Sequence, residues 1–150
     1  GKLAAETVFE RSNVASTILR VTQFHDLVRV MLAGASIAPL MVIPGCSFQP
    51  VDVRDVAVRL VELATSEPIG RAPDMGGPQA LSAPELADIY LRMVRRRRAV
   101  VTLRLPGQVG RALRDGANLA TDHRAGVVTF EDYLAEYPRP TALAYRLAPS

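Results

Sequence analysis

Apolar positions recur every three or four residues in several stretches of the chain and run together or alternate in others, which predicts helices and strands taking turns along it. Leu3, Thr7 and Val8 share a helical face up to about Arg11, and Ser12-Asn13 supplies a stop before the β-branched run Thr17-Ile18-Leu19-Arg20-Val21. That run predicts a buried strand. Phe24, Leu27, Val28, Met31 and Leu32 return to helical spacing, predicting a helix that lasts until Gly34. Val53, Val56, Ala57, Leu60, Val61 and Ala64 form a third periodic face, with Asp52 placed to cap it and Pro68-Ile69-Gly70 to close it.

Ala72 to Met75 predicts a short strand. The sharpest local signal is Ser82-Ala83-Pro84-Glu85, where a serine and a glutamate three apart satisfy each other's backbone N–H groups and Leu81 and Leu86 stand ready as a staple. The helix it opens carries Leu86, Ile89, Tyr90, Met93 and Val94. Val101, Leu103 and Leu105 alternate with Thr102 and Arg104, predicting a strand with one wet face that Pro106-Gly107 ends. Short helices are expected around Val109 to Leu113 and from Thr129 to about Ala135, with a loosely held tail over 138–150. Strand-to-helix turns of this kind build layered α/β folds, and the lack of repeats or low-complexity linkers predicts one cooperative unit.

At 150 residues, 49% hydrophobic and 22% charged, the chain suits a domain that buries roughly two thirds of its unfolded surface, which excludes disordered, collagen-like and mucin-like classes. Lys2 is the one lysine among 18 basic residues, so the net charge of +3 reflects arginine usage more than a basic binding strip. With no Trp and 5% aromatic residues, nothing points to nucleic acid. The single cysteine, Cys46, rules out an internal disulfide and a cysteine-rich zinc site, and fits a reducing, cytoplasmic setting. The uncharged run Val30 to Val51 is long enough to span a bilayer, but Gly34, Pro39, Pro44, Gly45 and Pro50 break it. The first residues lack the charged tip and apolar core of a secretory signal, and two distant histidines offer no metal spacing.

Four stretches follow one another in a specific order: Gly1-Lys2-Leu3-Ala4-Ala5-Glu6; Thr17-Ile18-Leu19-Arg20-Val21-Thr22-Gln23-Phe24; Gln49-Pro50-Val51-Asp52-Val53-Arg54-Asp55-Val56-Ala57; and Gly76-Gly77-Pro78 with Leu81-Ser82. Together they resemble the C-terminal half of the atypical short-chain dehydrogenase/reductase superfamily, in its NmrA-like NAD(P)-binding branch. They are similar, in turn, to the end of its Tyr-x-x-x-Lys helix, the following strand and turn, its V-D-V-R-D-V-A segment, and its late strand and capped helix. The resemblance implies α/β architecture over residues 1–137, the C-terminal portion of a Rossmann-like, doubly wound sheet with a helical substrate-side region. It implies NAD or NADP as cofactor. The family's Gly-rich turn, which admits the pyrophosphate to a helix N-terminus, has no counterpart here. Gly76-Gly77-Pro78 cannot replace it, because Pro78 lacks an N–H and the next helix begins only at Ser82. Cofactor binding is therefore expected to require residues upstream of Gly1, as is the family's tyrosine, four residues before Lys2.

Within the resemblance, Lys2 holds the nicotinamide ribose and lowers the tyrosine pKa so that the phenol exchanges a proton with a substrate carbonyl. A lysine at a chain start is otherwise an ordinary surface residue. Thr22, Gln23 and Phe24 end the predicted strand, where open α/β sheets place ligands. Their backbone amides and the Gln23 side chain are candidates for contact with a nicotinamide amide, and Phe24 for packing on its ring; the plainer alternative is an ordinary strand-to-helix turn. His25-Asp26 suits a surface histidine and a capping acid better than a catalytic pair. Asp52, Arg54 and Asp55 suit a cap with local ion pairs, Arg95 to Arg98 a solvated connection, His123 beside Asp122 a polar loop, and Cys46 a small apolar loop group. Residues 36 to 50 are expected to form a substrate loop.

Two functions compete. One is the substrate-side portion of an NAD(P)-dependent oxidoreductase acting on a small molecule, inactive as an isolated chain; the other is a non-catalytic cofactor-sensing or protein-binding module. The Thr17 to Val21 strand is expected to leave an open edge, so a homo-oligomer or an aggregation-prone chain follows, with neither nucleic acid nor a membrane as partner.

Overall fold

The computed structural model describes residues 2–12, 14–120 and 125–137; the 138–150 tail, Asn13 and the Asp122-His123 pair lie outside the described residues. Helix α1 (Lys2–Arg11) leads into β1 (Thr17–Ile18), which pairs in parallel with β5 (Gly70–Arg71). Between them come α2 (His25–Ala35), β2 (Ser36–Ile37), β3 (Leu40–Pro44), β4 (Ser47–Phe48) and α3 (Val53–Ala64). Strand β3 is the centre of a second sheet, antiparallel to β2 and parallel to β7 (Ala99–Leu103), and β4 pairs antiparallel with β6 (Leu81–Ser82). Helix α4 (Ala83–Met93) crosses from β6 to β7, followed by α5 (Gly107–Arg114) and α6 (Phe130–Glu136). Parallel strands joined through helices give the expected α/β class, and among the described residues the strands fall into three small sheets.

The strand expected over Thr17 to Val21 is regular only at Thr17–Ile18. Thr17 faces Gly70 and Ile18 faces Arg71, yet Val21 faces Met75, so the partner carries one extra residue around Pro73, which has no N–H to donate. Beyond it the bonds resume: Met75 N donates to Arg20 O at 2.8 Å and Thr22 N to Met75 O at 3.0 Å. The same insertion moves the strand expected at Ala72 to Met75 back to Gly70–Arg71. Helix α2 continues through Gly34, whose missing side chain would meet open space, and stops at Ala35. Helices α3 and α4 start where their caps predict. Asp52 accepts from Arg54 N at 2.8 Å. Ser82 N donates to Glu85 Oε2 at 2.7 Å while Glu85 N donates to Ser82 Oγ at 3.4 Å. Thr129 and Asp132 form a second capping box ahead of α6.

The main core gathers Val28 and Leu32 of α2, Met41 and Ile43 of β3, Leu86 and Leu91 of α4, and Phe130 and Leu134 of α6. Residues 36 to 50 are therefore not a substrate loop: they form β2, β3 and β4, and Met41 and Ile43 are 0% and 2% exposed. Cys46 is also part of this core, and burial pushes its thiol pKa up. No helix among the described residues is long and apolar enough to cross a membrane. Strand β7 does not alternate as expected: Val100, opposite Met41, packs against the core, whereas Ala99, Val101, Thr102 and Leu103 are exposed. A second cluster of Val51, Val56 and Met75, with Leu19, Val21 and Phe24 against it, ties the end of the β1 segment to α3.

Candidate functional site

Beyond β1 the chain passes through the turn Thr22-Gln23-Phe24 into α2, and this turn is held from both sides. Thr22 N donates to Met75 O, Val51 N donates to Gln23 O at 2.9 Å, and His25 N donates to Val51 O at 3.1 Å. The turn thus sits at the C-terminal end of parallel pairings, as the sequence predicts. Its side chains are committed differently. Thr22 Oγ1 donates to Gln49 O at 2.5 Å, and Phe24 packs into the Val51 cluster. Gln23 Nε2 donates to Asn118 O at 3.3 Å, which fixes the orientation of the amide because a carbonyl can only accept. Gln23 Oε1 is then buried with no partner among the described residues.

Gln49, which the sequence places only inside a family-like segment, organises this region. It is fully buried; its Oε1 accepts from Ala120 N at 2.8 Å, and its Nε2 donates to Gly77 O at 2.9 Å and Ala120 O at 3.3 Å. The available signal was a lone amide between Phe48 and Pro50 in an otherwise apolar run. Asn118 Nδ2 donates to Ser47 O at 2.7 Å, leaving Asn118 Oδ1 as a second buried acceptor without a partner among the described residues. The Gly76-Gly77 pair explains how these segments approach. A Cβ on Gly76 would lie 2.4 Å from Gln49 Nε2, and one on Gly77 would lie 1.8 Å from Pro50 O. These glycines serve close backbone packing rather than a phosphate cradle. Met75 also lines a cavity of about 440 Å³ between Pro73–Met75 and the α3 residues Asp55, Val58, Arg59 and Glu62.

His25 is not a surface residue: it is 1% exposed, beneath a segment more than a hundred residues away in sequence. Its Nε2 lies 3.0 Å from Val128 O, so Nε2 carries the hydrogen, while Nδ1 is buried without a partner among the described residues. The ring packs 5.7 Å from Phe130 and 5.2 Å from Tyr133. Burial pushes its pKa down, opposed by the Val128 bond and the carboxylates of Asp52 and Asp55. Asp26 accepts from Tyr133 Oη at 2.7 Å, and burial followed by that bond pushes the phenol up to about 12.

Asp55 Oδ2 accepts from Val127 N at 2.9 Å and Val128 N at 3.2 Å, and Arg54 bridges Asp52 and Glu136 at 2.9 and 2.7 Å. Arg54 holds the Asp52 carboxyl below its usual range. Asp52 and Arg54 do form the expected cap and local pair, but Asp26, Arg54 and Asp55 also strap residues 125–137 across α2 and α3. Lys2 lies in the first turn of α1, its side chain outside the described part of the structure. An ion pair between Glu6 and Arg20 ties that helix to the β1 segment. Among the described residues no cluster of three or more His, Cys, Asp or Glu could hold a metal.

No family model and no curated protein matches this sequence. Solved structures match the fold. A dTDP-glucose 4,6-dehydratase from Bacillus anthracis in complex with NAD is 14% identical with a TM-score of 0.59, covering 91% of this chain and 48% of its own. A UDP-glucuronic acid 4-epimerase from Bacillus cereus, in complex with UDP-glucuronic acid and NAD, is 16% identical with a TM-score of 0.59, covering 91% and 49%. RMD from Pseudomonas aeruginosa, complexed with NADPH, is 17% identical with a TM-score of 0.57, covering 89% and 52%. The chain spans about half the length of these proteins. At these identities the likeness establishes fold: the chain is a mixed α/β unit that matches the C-terminal part of Rossmann-like NAD-binding dehydrogenases.

Proposed function

We propose that the chain is the substrate-side portion of an NAD(P)-dependent oxidoreductase of the short-chain dehydrogenase type, nearest in its motifs to the NmrA-like branch. The observation that carries this reading is the Thr22–Phe24 turn, where Gln23 Oε1, a buried acceptor without a partner among the described residues, sits at the end of parallel strands. A carboxamide NH₂ is a donor suited to it. NAD or NADP, with which the matching dehydratase, epimerase and RMD are complexed, would supply hydride transfer when bound. Gln23 would hold the nicotinamide amide, and the main chain of Thr22 to Phe24 would line that end of the cofactor. The Thr22 hydroxyl and Phe24 ring act by shaping the turn, since both are engaged within the chain. Lys2 is assigned the nicotinamide ribose on its motif alone. Strand β1 pairs only with β5 among the described residues, so its other edge is where a preceding strand, or a second copy of the chain, would add. The Met75-lined cavity suits a small-molecule substrate in size.

One observation favours the rival reading of a non-catalytic cofactor sensor. The Thr22 hydroxyl and the His25 Nε2–H are both directed to carbonyls, which leaves neither group beside the turn poised to move a proton. The coding sequence upstream of Gly1 and a titration of NADH and NADPH fluorescence with the protein it encodes test both readings. A Gly-rich strand–turn–helix upstream is expected, with affinity about two- to twelvefold weaker in Gln23→Leu, as one neutral hydrogen bond contributes about 0.5 to 1.5 kcal/mol. Absence of that motif, or equal affinity of the variant, refutes the proposed site. Binding without turnover selects the sensor.

A further inference from the structure

We infer that the arginine-lined cavity at the C-terminal end of α4 is a binding site for a small oligophosphate, a chain of two or more linked phosphate groups, distinct from the Gln23–Gln49 region. The cavity measures about 470 Å³ and is lined by Arg92, Arg95, Arg96, Arg97 and Arg98 with Leu91 and a single carboxylate, Asp88. The backbone builds this concavity. Arg95 takes the left-handed conformation at φ 53, which turns the chain back so that Arg96 N donates to Leu91 O at 3.0 Å. Arg98 then leads directly into β7, and its side chain folds over the turn, donating from Nη1 to Arg97 O at 3.3 Å.

Three observations separate this cavity from a solvated connection. Arg95 to Arg98 make no ion pair among the described residues, and Arg92 reaches Glu131 only at 3.8 Å. Arg98 Nε is buried with no partner among the described residues, a donor that a phosphate oxygen would satisfy. Five guanidinium groups, none of which can lose its proton, line the cavity against one carboxylate, a balance that favours a multiply charged anion, and the guanidinium fork matches phosphate oxygens two at a time. One phosphate carries too little charge for five arginines, hence the preference for a linked chain.

The lining contains no aromatic ring on which a base could stack, which favours a free oligophosphate over nucleic acid. Its position makes it independent of the proposed cofactor contact. Ala99, the residue after Arg98, pairs with Leu40 at the start of β3, whereas the Gln49 region follows the opposite ends of β3 and β7, where Gly45 N donates to Leu103 O at 2.8 Å.

Isothermal titration of the full chain with inorganic tripolyphosphate at fixed ionic strength tests the inference. Saturable binding near one per chain is expected, with pyrophosphate weaker and orthophosphate weaker still. Arg96→Gln and Arg98→Gln should each weaken tripolyphosphate at least tenfold, and Arg111→Gln on α5 should leave it unchanged. A thermal melt checks that every variant folds, and the two cavity variants provide independent readings. No saturation, equal weakening by Arg111→Gln, unchanged affinity in both cavity variants, or tighter and competing binding of duplex DNA or anionic vesicles would each overturn the proposal.

Discussion

Acidification from pH 7.5 to 5.5 should destabilise this protein through His25. In the folded chain the imidazole is buried, Nε2–H is directed to the Val128 carbonyl, and a second proton would have to enter at Nδ1, which has no acceptor among the described residues. Burial therefore holds the folded pKa below the ordinary value of 6.5 that the unfolded chain regains. Below 6.5 the unfolded state binds the extra proton, so the stability due to neutral His25 is complete above 6.5 and is lost as pH falls toward the folded value. The loss across this window is at most about 1.4 kcal/mol, the full linkage of one proton over the pH units below 6.5. At a slope of about 1.5 to 3 kcal/mol per molar, the urea midpoint falls by at most about 0.5 to 1 M. Asp52, Glu6 and Glu85 are held below their ordinary values of 3.8, 4.5 and 4.5, so their contributions are lost only at lower pH. His25→Gln isolates the effect: glutamine keeps a donor for Val128 and does not titrate, while His123 is common to both proteins. Equal midpoint shifts in wild type and variant between pH 7.5 and 5.5 would show that His25 is not the responsible group.

Gly77→Ala should destabilise by about 3 kcal/mol or more, because its Cβ would lie 1.8 Å from Pro50 O and backbone must move; a urea midpoint equal to wild type contradicts that packing. Gly34→Ala, in open space within α2, should stabilise by about 0.5 to 1 kcal/mol in the same assay, and a loss would mean that the helix does not continue through residue 34. Ser82→Ala should cost about 1 kcal/mol by removing the α4 cap, while Ser82→Thr should preserve most of it; equal loss in both would assign the effect to something other than the cap.

The starts of α3 and α4 were legible because their causes are local: Asp52 reaches a backbone N–H two residues away, and Ser82 and Glu85 complete each other within one turn. The α/β class and the placement of Thr22 to Phe24 at a strand end were legible from the change of period around Val21. What failed depends on partners distant in sequence. Which β7 residue faces inward was obscured because Val100 and Val101 are equally apolar, and only pairing with Met41 and Val42 decides it. The breadth of the β1 ladder depended on the extra residue near Pro73. His25 looked polar and exposed until α6 covered it, and residues 36 to 50 looked like a loop because their prolines and glycines mask a strand whose partner is β7. Gln49 was missed as an organiser because an amide declares its role only when all its partners are present.

The bonds made by Gln49 span 27 residues to Thr22, 28 to Gly77 and 71 to Ala120, whereas the α4 capping box spans three. Closing longer loops costs more chain entropy and delays the contacts that depend on them. By that measure the Gln49–Ala120 closure should follow α4 and the β2–β3 hairpin, whose contacts are local. Transient opening of residues 116–120 would expose the Ala120 amide and release Gln49 while β3 stays packed, so native-state hydrogen exchange should find Ala120 opening at lower free energy than Met41. Any ligand that seats in the region proposed to meet the cofactor would then stabilise the junction more than the core.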